Sequence, residues 1–206
     1  MSTKKILASI TPDKAITMLK EGNLRFRKHQ HIDRDFMNEV AVTAAKQYPF
    51  AIILGCIDSR VPVEILFDQG VGDLFVTRIA GNFENNDIIA SMEYACEIVG
   101  SKLILVLGHE SCGAVKAACD DVKMGHITEL VSRIKPAITN TNIQGKISSK
   151  NKTCVDDVAK TNVLLTIDRI RKKSKILKTL EEKGKIKIAG GFYYVHSGEV
   201  KMVDDV

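Results

Sequence analysis

"KLILVLGHESCG", residues 102–113, sets an unbroken apolar run, Leu103 to Leu107, ahead of a glycine, a histidine and a cysteine. So short a run, with no polar residue inside it, reads as a strand buried on both faces. "SCGAVKAACDDVKMG" (111–125) reads as a helix that begins where the strand ends. The stretch is therefore a strand–turn–helix unit with its reactive residues in the turn. A second apolar run, "FAIIL" (50–54), ends the same way, in "GCIDSR" (55–60).

Working outward, the rest of the chain fits this pattern. "DLFVTRI" (73–79) reads as a short strand after a loop containing Pro62 and the stretch "VEILFDQ". "NNDIIASMEYACEIVG" (85–100) reads as a helix, because Ile88, Met92, Ala95 and Val99 recur at helical spacing and Gly100 suits its end. "KIKIAGGFYYVHSGEVKMV" (185–203) reads as a strand, a turn at Ser197-Gly198 and a returning strand. Upstream, "ITPDKAITMLKEGNLRFRKH" (10–29) is a helix with Thr11 as N-cap and Pro12 at its first position. "DRDFMNEVAVTAAKQ" (33–47) is a second helix, stopped by Pro49. "ELVSRIKPAIT" (129–139) is a helix interrupted at Pro136, "NTNIQGKISSKNKT" is loop, and "CVDDVAKTNVLLTIDRIRKKS" (154–174) is a long amphipathic helix.

Short apolar strands alternating with helices predict an α/β fold with a mainly parallel central sheet. About four parallel strands and an antiparallel edge strand are expected, flanked by helices. The chain reads as one domain over residues 1–206, with an N-terminal helical arm over about 11–47. In such sheets ligands gather at the carboxyl ends of strands. Cys56 and His109 both stand there, so they meet if their strands are neighbours.

Composition sets bounds on function. The 206 residues are 45 % apolar, which excludes a disordered chain, and only 5 % aromatic with no Trp, which predicts an aliphatic core. The net charge of +5 gathers in "RIRKKSK" (169–175) and "EEKGKIK" (181–187), which read as solvated helix faces rather than a nucleic-acid surface. No segment reaches the ~18 apolar residues of a membrane span. The N-terminal apolar stretch is too short for a signal peptide, so a cytoplasmic location is expected. The five cysteines, at 56, 96, 112, 119 and 154, are odd in number, and in a reducing compartment they stay free or bind metal. Cys96, Cys119 and Cys154 lie in helical stretches and receive no role.

Cys56, His109 and Cys112 are a donor set for zinc, which takes thiolate and imidazole and keeps a fourth position open in catalytic sites. Cys112 opens a helix, where the dipole favours a thiolate. On spacing alone the same residues also fit small core thiols and a weak H-x-x-C coincidence. Asp58 and Arg60, at i and i+2, share one side of an extended segment. They read either as a loop ion pair or as a carboxylate held ionised beside a metal.

"CIDSRVPVEILFDQGVGDLFVTRIAGN" (56–82), "SMEYA" (91–95) and "GHESCGAVKAA" (108–118) resemble a β-class carbonic anhydrase, as do "GGFYYVHSGEV" and "LKEGNLRF". The resemblance runs from about residue 12 to 203. It implies one Zn(2+) per chain on Cys56, His109 and Cys112, and a catalytic dyad of Asp58 and Arg60. It implies a pocket from Gln47, Phe75, Tyr94 and Gly113, formed at a dimer interface on which the N-terminal helices pack. The implied activity is that of a lyase: reversible hydration of CO2 to bicarbonate and a proton by attack of zinc-bound hydroxide. Its substrates are CO2, bicarbonate and water, with no nucleic acid or membrane as partner, and the assembly is a homodimer or homotetramer. The same scaffold also suits a hydrolase of COS or CS2, or a non-catalytic protein whose zinc is closed by Asp58. Ile57 stands where the family usually has Ser or Ala, a change expected to alter packing behind the site. Ile53 replaces the Trp of one branch's inhibitory bicarbonate pocket, so that pocket is expected to be absent although Arg78 matches its arginine. His29, His31, His126 and His196 are candidate proton relays, and spacing singles out none of them.

Overall fold

The computed structural model describes residues 4–203. Two parallel strands fill its centre: β1 (Ala51–Gly55) and β3 (Leu103–His109), every residue of which is buried. On one side of β1 lies the half-exposed β2 (Leu74–Arg78), and on the far side of β3 lies β4 (Lys187–Tyr194). All four run parallel, and β5 (Glu199–Met202) closes the sheet antiparallel to β4, giving the order β2-β1-β3-β4-β5. This is the expected architecture.

Alternation along β1 and β3 divides the core between the two sheet faces. Ile52, Leu54, Ile104 and Val106 face one cluster with α5 (Asn86–Glu93), α6 (Gly113–Cys119), α7 (Ile127–Thr139), α8 (Lys152–Lys173) and α9 (Lys175–Glu182). Ala51, Ile53, Leu103, Leu105 and Leu107 face the other, with α1 (Lys4–Ser9), α2 (Pro12–Arg27) and the short α4 (Val63–Leu66). On α2, Thr11 caps Lys14 N–H at 3.1 Å and Pro12 opens the helix, as its sequence requires. Buried Asn23 then ties α2 to its surroundings, donating to Leu66 O and Gly198 O and accepting from Val200 N–H. Close packing fixes α8 on the sheet: a Cβ on Gly108 would meet Val163 at 2.7 Å, and one on Gly190 would meet Val163 at 2.8 Å.

Several elements differ from the sequence reading. The second helix, α3, spans only Phe36–Thr43, with Asp35 as its cap. Pro49 pushes the residues before it out of the helical region, so Gln47 lies on an exposed loop instead of a helix end. Pro136 does not interrupt α7, because it sits in the last turn and the carbonyl it leaves without a helical donor belongs to exposed Ser132. The helix from Asn86 changes pitch and runs on as a π-helical segment, Tyr94–Val99, before Gly100 ends it at φ 95. Helices α1, α4 and α9 were not expected: α1 and α4 are too short to show a period, and α9, though Leu177 and Leu180 give it a buried face, is only eight residues long. Cys96, Cys119 and Cys154 are buried free thiols.

Candidate metal centre

Strands β1 and β3 pair directly, Leu54 opposite Val106, so their carboxyl ends open side by side. Cys56 follows β1 immediately and His109 is the last residue of β3. The chain then doubles back through Ser111, at φ 57, and Cys112 becomes the N-cap of α6. The three side chains meet as expected: one ligand atom from each lies within 4.8 Å of the others, and all three residues are buried. The two sulfurs are 3.9 Å apart. Two thiolates on tetrahedral zinc, at ~2.3 Å from the metal, stand about 3.8 Å apart.

A further observation points to a metal. His109 Nδ1 lies 3.0 Å from Glu110 O, which can only accept, so Nδ1 carries the proton. Nε2 is then a bare lone pair, and it is buried with no partner among the described residues. An orphaned imidazole nitrogen beside two sulfurs fits zinc. Of the two thiols, Cys56 is the one polarised toward ionisation. The hydrogen bond from Cys112 holds the Cys56 thiol well below its usual range, with Gly81 N–H adding to it from 3.4 Å. The same bond and burial push Cys112 up, although the N–H groups of Val115 and Ala114 at the start of α6 oppose the rise. Gly81 reaches this place only because its φ is +81, and a Cβ there would meet Ile134 at 2.5 Å.

Asp58 and Arg60 form a fork. Arg60 donates Nε to Asp58 Oδ1 at 2.9 Å, Nη2 to Oδ2 at 2.8 Å, and its backbone N–H to Oδ1 at 3.0 Å. These bonds hold the Asp58 carboxyl well below the ordinary carboxylate range. Asp58 stands outside the ligand cluster, so the arrangement is the open one. Arg78, at the end of β2, clamps the same turn from behind: Nε donates to Cys56 O at 2.7 Å and Nη2 to Asp58 O at 2.6 Å.

The pocket residues are less gathered. Phe75 on β2 and Tyr94 meet edge to face with centroids 6.3 Å apart, while Tyr94 stays 54 % exposed. A Cβ on Gly113 would meet nothing within 4 Å, so the backbone beside Cys112 borders open space. Gln47 is exposed. Ile57 does not pack behind the site as expected, because it is 62 % exposed. Ile53 is fully buried in the second core cluster. The reading from sequence missed Gly81, Arg78's clamp and Glu110. The charge between His109 and Cys112 was the available signal for the last.

A family model described as carbonic anhydrase matches residues 51–200. A carbonic anhydrase of Mycolicibacterium smegmatis is 36 % identical over 198 residues, 93 % of each chain. Carbonic anhydrase 2 of Mycobacterium tuberculosis is 34 % identical over 207 residues, 97 % of each chain. A solved β-carbonic anhydrase from Coccomyxa, in complex with acetazolamide, superposes with a TM-score of 0.70 at 26 % identity, covering 81 % of this chain and 78 % of that one.

Proposed function

From the premise that the chain belongs to the β-class carbonic anhydrases, zinc enzymes that hydrate CO2 reversibly to bicarbonate and a proton, we propose a role for each site residue. Cys56, His109 and Cys112 hold the zinc. The observation that carries this is the partnerless, buried Nε2 of His109 beside two sulfurs at zinc spacing. When bound, zinc supplies a water acidic enough to become the nucleophile near neutrality, though with two thiolates less acidic than the ~7 of a three-imidazole site.

The rest is done by the chain. Asp58, kept ionised and fixed in rotamer by Arg60, accepts a hydrogen bond from the attacking water and turns its lone pair toward CO2. Arg60 keeps Asp58 from swinging inward. Phe75 and Tyr94 offer CO2 an apolar wall, and the open backbone at Gly113 leaves it room. Gln47 completes the pocket from a loop that a neighbouring subunit brings near. Neither a COS or CS2 hydrolase nor a closed structural zinc is favoured, since the relatives are named carbonic anhydrases and Asp58 stands with Arg60. An inhibitory bicarbonate pocket is absent from this reading, because Ile53 fills core and Arg78 is spent on two carbonyls.

The described residues form one domain around one sheet, and the protein works as a homodimer or homotetramer. Helix α3 supports the assembly, since it leaves Phe36 57 % and Met37 76 % exposed, with Val40 and Val42 beside them. Buried Glu39 fixes that face by accepting from Arg34 Nη1 and Val71 N–H, each at 2.9 Å. Met37→Glu together with Val40→Glu therefore shifts the mass in solution toward a monomer, read by light scattering; an unchanged mass removes α3 from the interface. No helix among the described residues is long and apolar enough to cross a membrane. The buried free thiols suit the reducing cytoplasm.

Stopped-flow CO2 hydration from pH 6.5 to 9, on protein with its zinc counted, tests the whole reading. One zinc per chain and activity rising with pH are expected. One zinc per chain with no activity at any pH overturns it.

A further inference from the structure

Glu110 sits between two of the proposed ligands, and it is only 5 % exposed. A buried carboxylate needs donors, and this one has them from two distant parts of the chain. Lys152 Nζ reaches Oε1 at 2.5 Å. His196 Nδ1 and the His196 backbone N–H reach Oε2 at 2.8 Å and 3.2 Å. The Glu110 backbone is held as well: its N–H donates to Tyr193 O at 2.9 Å, and its carbonyl accepts from His109 Nδ1 at 3.0 Å. The next residue, Ser111, donates its N–H to Asp156 Oδ1 at 2.8 Å. Lys152 and Asp156 both belong to the first turns of α8.

We infer that Glu110 is a positioning residue of the metal centre: its carboxylate, anchored by Lys152 and His196, holds its carbonyl where it fixes the ring of His109 with Nε2 free for zinc. This rests on the reading of Cys56, His109 and Cys112 as the ligands. The chain of contacts runs from two donors, Lys152 and His196, through a side chain to a carbonyl, and from the carbonyl to the imidazole. Each link sets the tautomer or the direction of the next. A carboxylate suits the place better than an amide, because Glu110→Gln turns an NH2 group toward a donor already there.

The test is zinc release from the holoenzyme into excess chelator, with the thermal midpoint and the visible spectrum of the cobalt(II)-loaded protein recorded in parallel. Glu110→Gln is expected to release zinc roughly ten- to a hundredfold faster and to shift the cobalt bands. Lys152→Met acts in the same direction but less, and the double variant is no worse than Glu110→Gln alone, since both break one chain of contacts. If Glu110→Gln does not fold, Lys152→Met and His196→Ala, at more exposed positions, carry the same measurement. Release within twofold of the parent with unchanged cobalt bands overturns the inference, whatever happens to the thermal midpoint. Cys112→Ala serves as the control for the underlying reading: zinc kept in that variant sinks the ligand set itself, whereas zinc lost there but not on changing Glu110 or Lys152 sinks only this inference.

Discussion

The two halves of the proposed zinc site are built alike and held differently. Each is a buried apolar strand that ends in a turn of reactive residues. The turn after β1 is fastened by two guanidinium groups at the surface, Arg60 on Asp58 and Arg78 on the carbonyls of Cys56 and Asp58. The turn after β3 is fastened by two carboxylates, the buried Glu110 and the partly buried Asp156, with α8 behind them. The Arg60 side of the first turn's ion pair is open to water, which screens the pair and lessens what is lost when it breaks. Removing the donors of Glu110 strands a carboxylate that is itself nearly out of water, so the second turn loses more. The half that carries the proposed orienting carboxylate is anchored nearer to water, and the half that carries two of the three proposed ligands is the more deeply fixed.

The largest effect expected from this contrast is on turnover. Asp58→Ala should lower kcat on the order of a hundredfold with one zinc per chain retained, measured by stopped flow and metal analysis. Loss of the metal would erase the distinction, because Asp58 would then be holding the site together. Arg78→Met should cost less, roughly tenfold in kcat/KM, because it loosens two carbonyls without removing a reacting group. Bicarbonate inhibition should not change in that variant. Strong inhibition in the parent that vanishes with Arg78 would restore the regulatory pocket to this chain.

The smallest effect is on acid stability, and its sign follows from Glu110. Burial pushes its carboxyl up, but the bonds from Lys152 and His196 outweigh burial and bring it to about 2, below the usual 4.5. A lowered folded value means stability present above the ordinary range and lost as pH falls from about 4.5 toward about 2. Urea unfolding at pH 6 and pH 3 should therefore show a smaller difference for Glu110→Gln than for the parent. Equal differences would mean that the buried clamp is no tighter than the exposed one.

What could be read from the sequence alone follows the same division. Strands β1 and β3 were legible because strands buried on both faces must be apolar throughout. The Asp58–Arg60 pair was legible because the two are two residues apart, and the meeting of Cys56 and His109 because each stands at the carboxyl end of its strand, with Cys112 in the turn that follows. The fixed half's support was not, since His196 lies 86 residues from Glu110 and Asp156 lies 45 from Ser111, distances over which only the folded topology decides contact. Gln47 was misplaced because helical composition continues past Thr43 while Pro49 acts backward along the chain. Ile57 was misjudged because the residue usual at a family position does not say which way a side chain in the turn after the strand points.

The seating of α8 has a consequence for how this chain can vary over generations. Val163 is fitted against Gly108 and Gly190, while Lys152 and Asp156, about three and two turns earlier, face the turn that carries His109 and Cys112. One residue inserted between Asp156 and Val163 would rotate one end of α8 against the other by about 100° and turn the clamp away from the site. Extra residues in the loop at 140–150 would leave that phase untouched. Descendants of this sequence should therefore gain and lose length freely ahead of α8 and hardly at all within its first three turns.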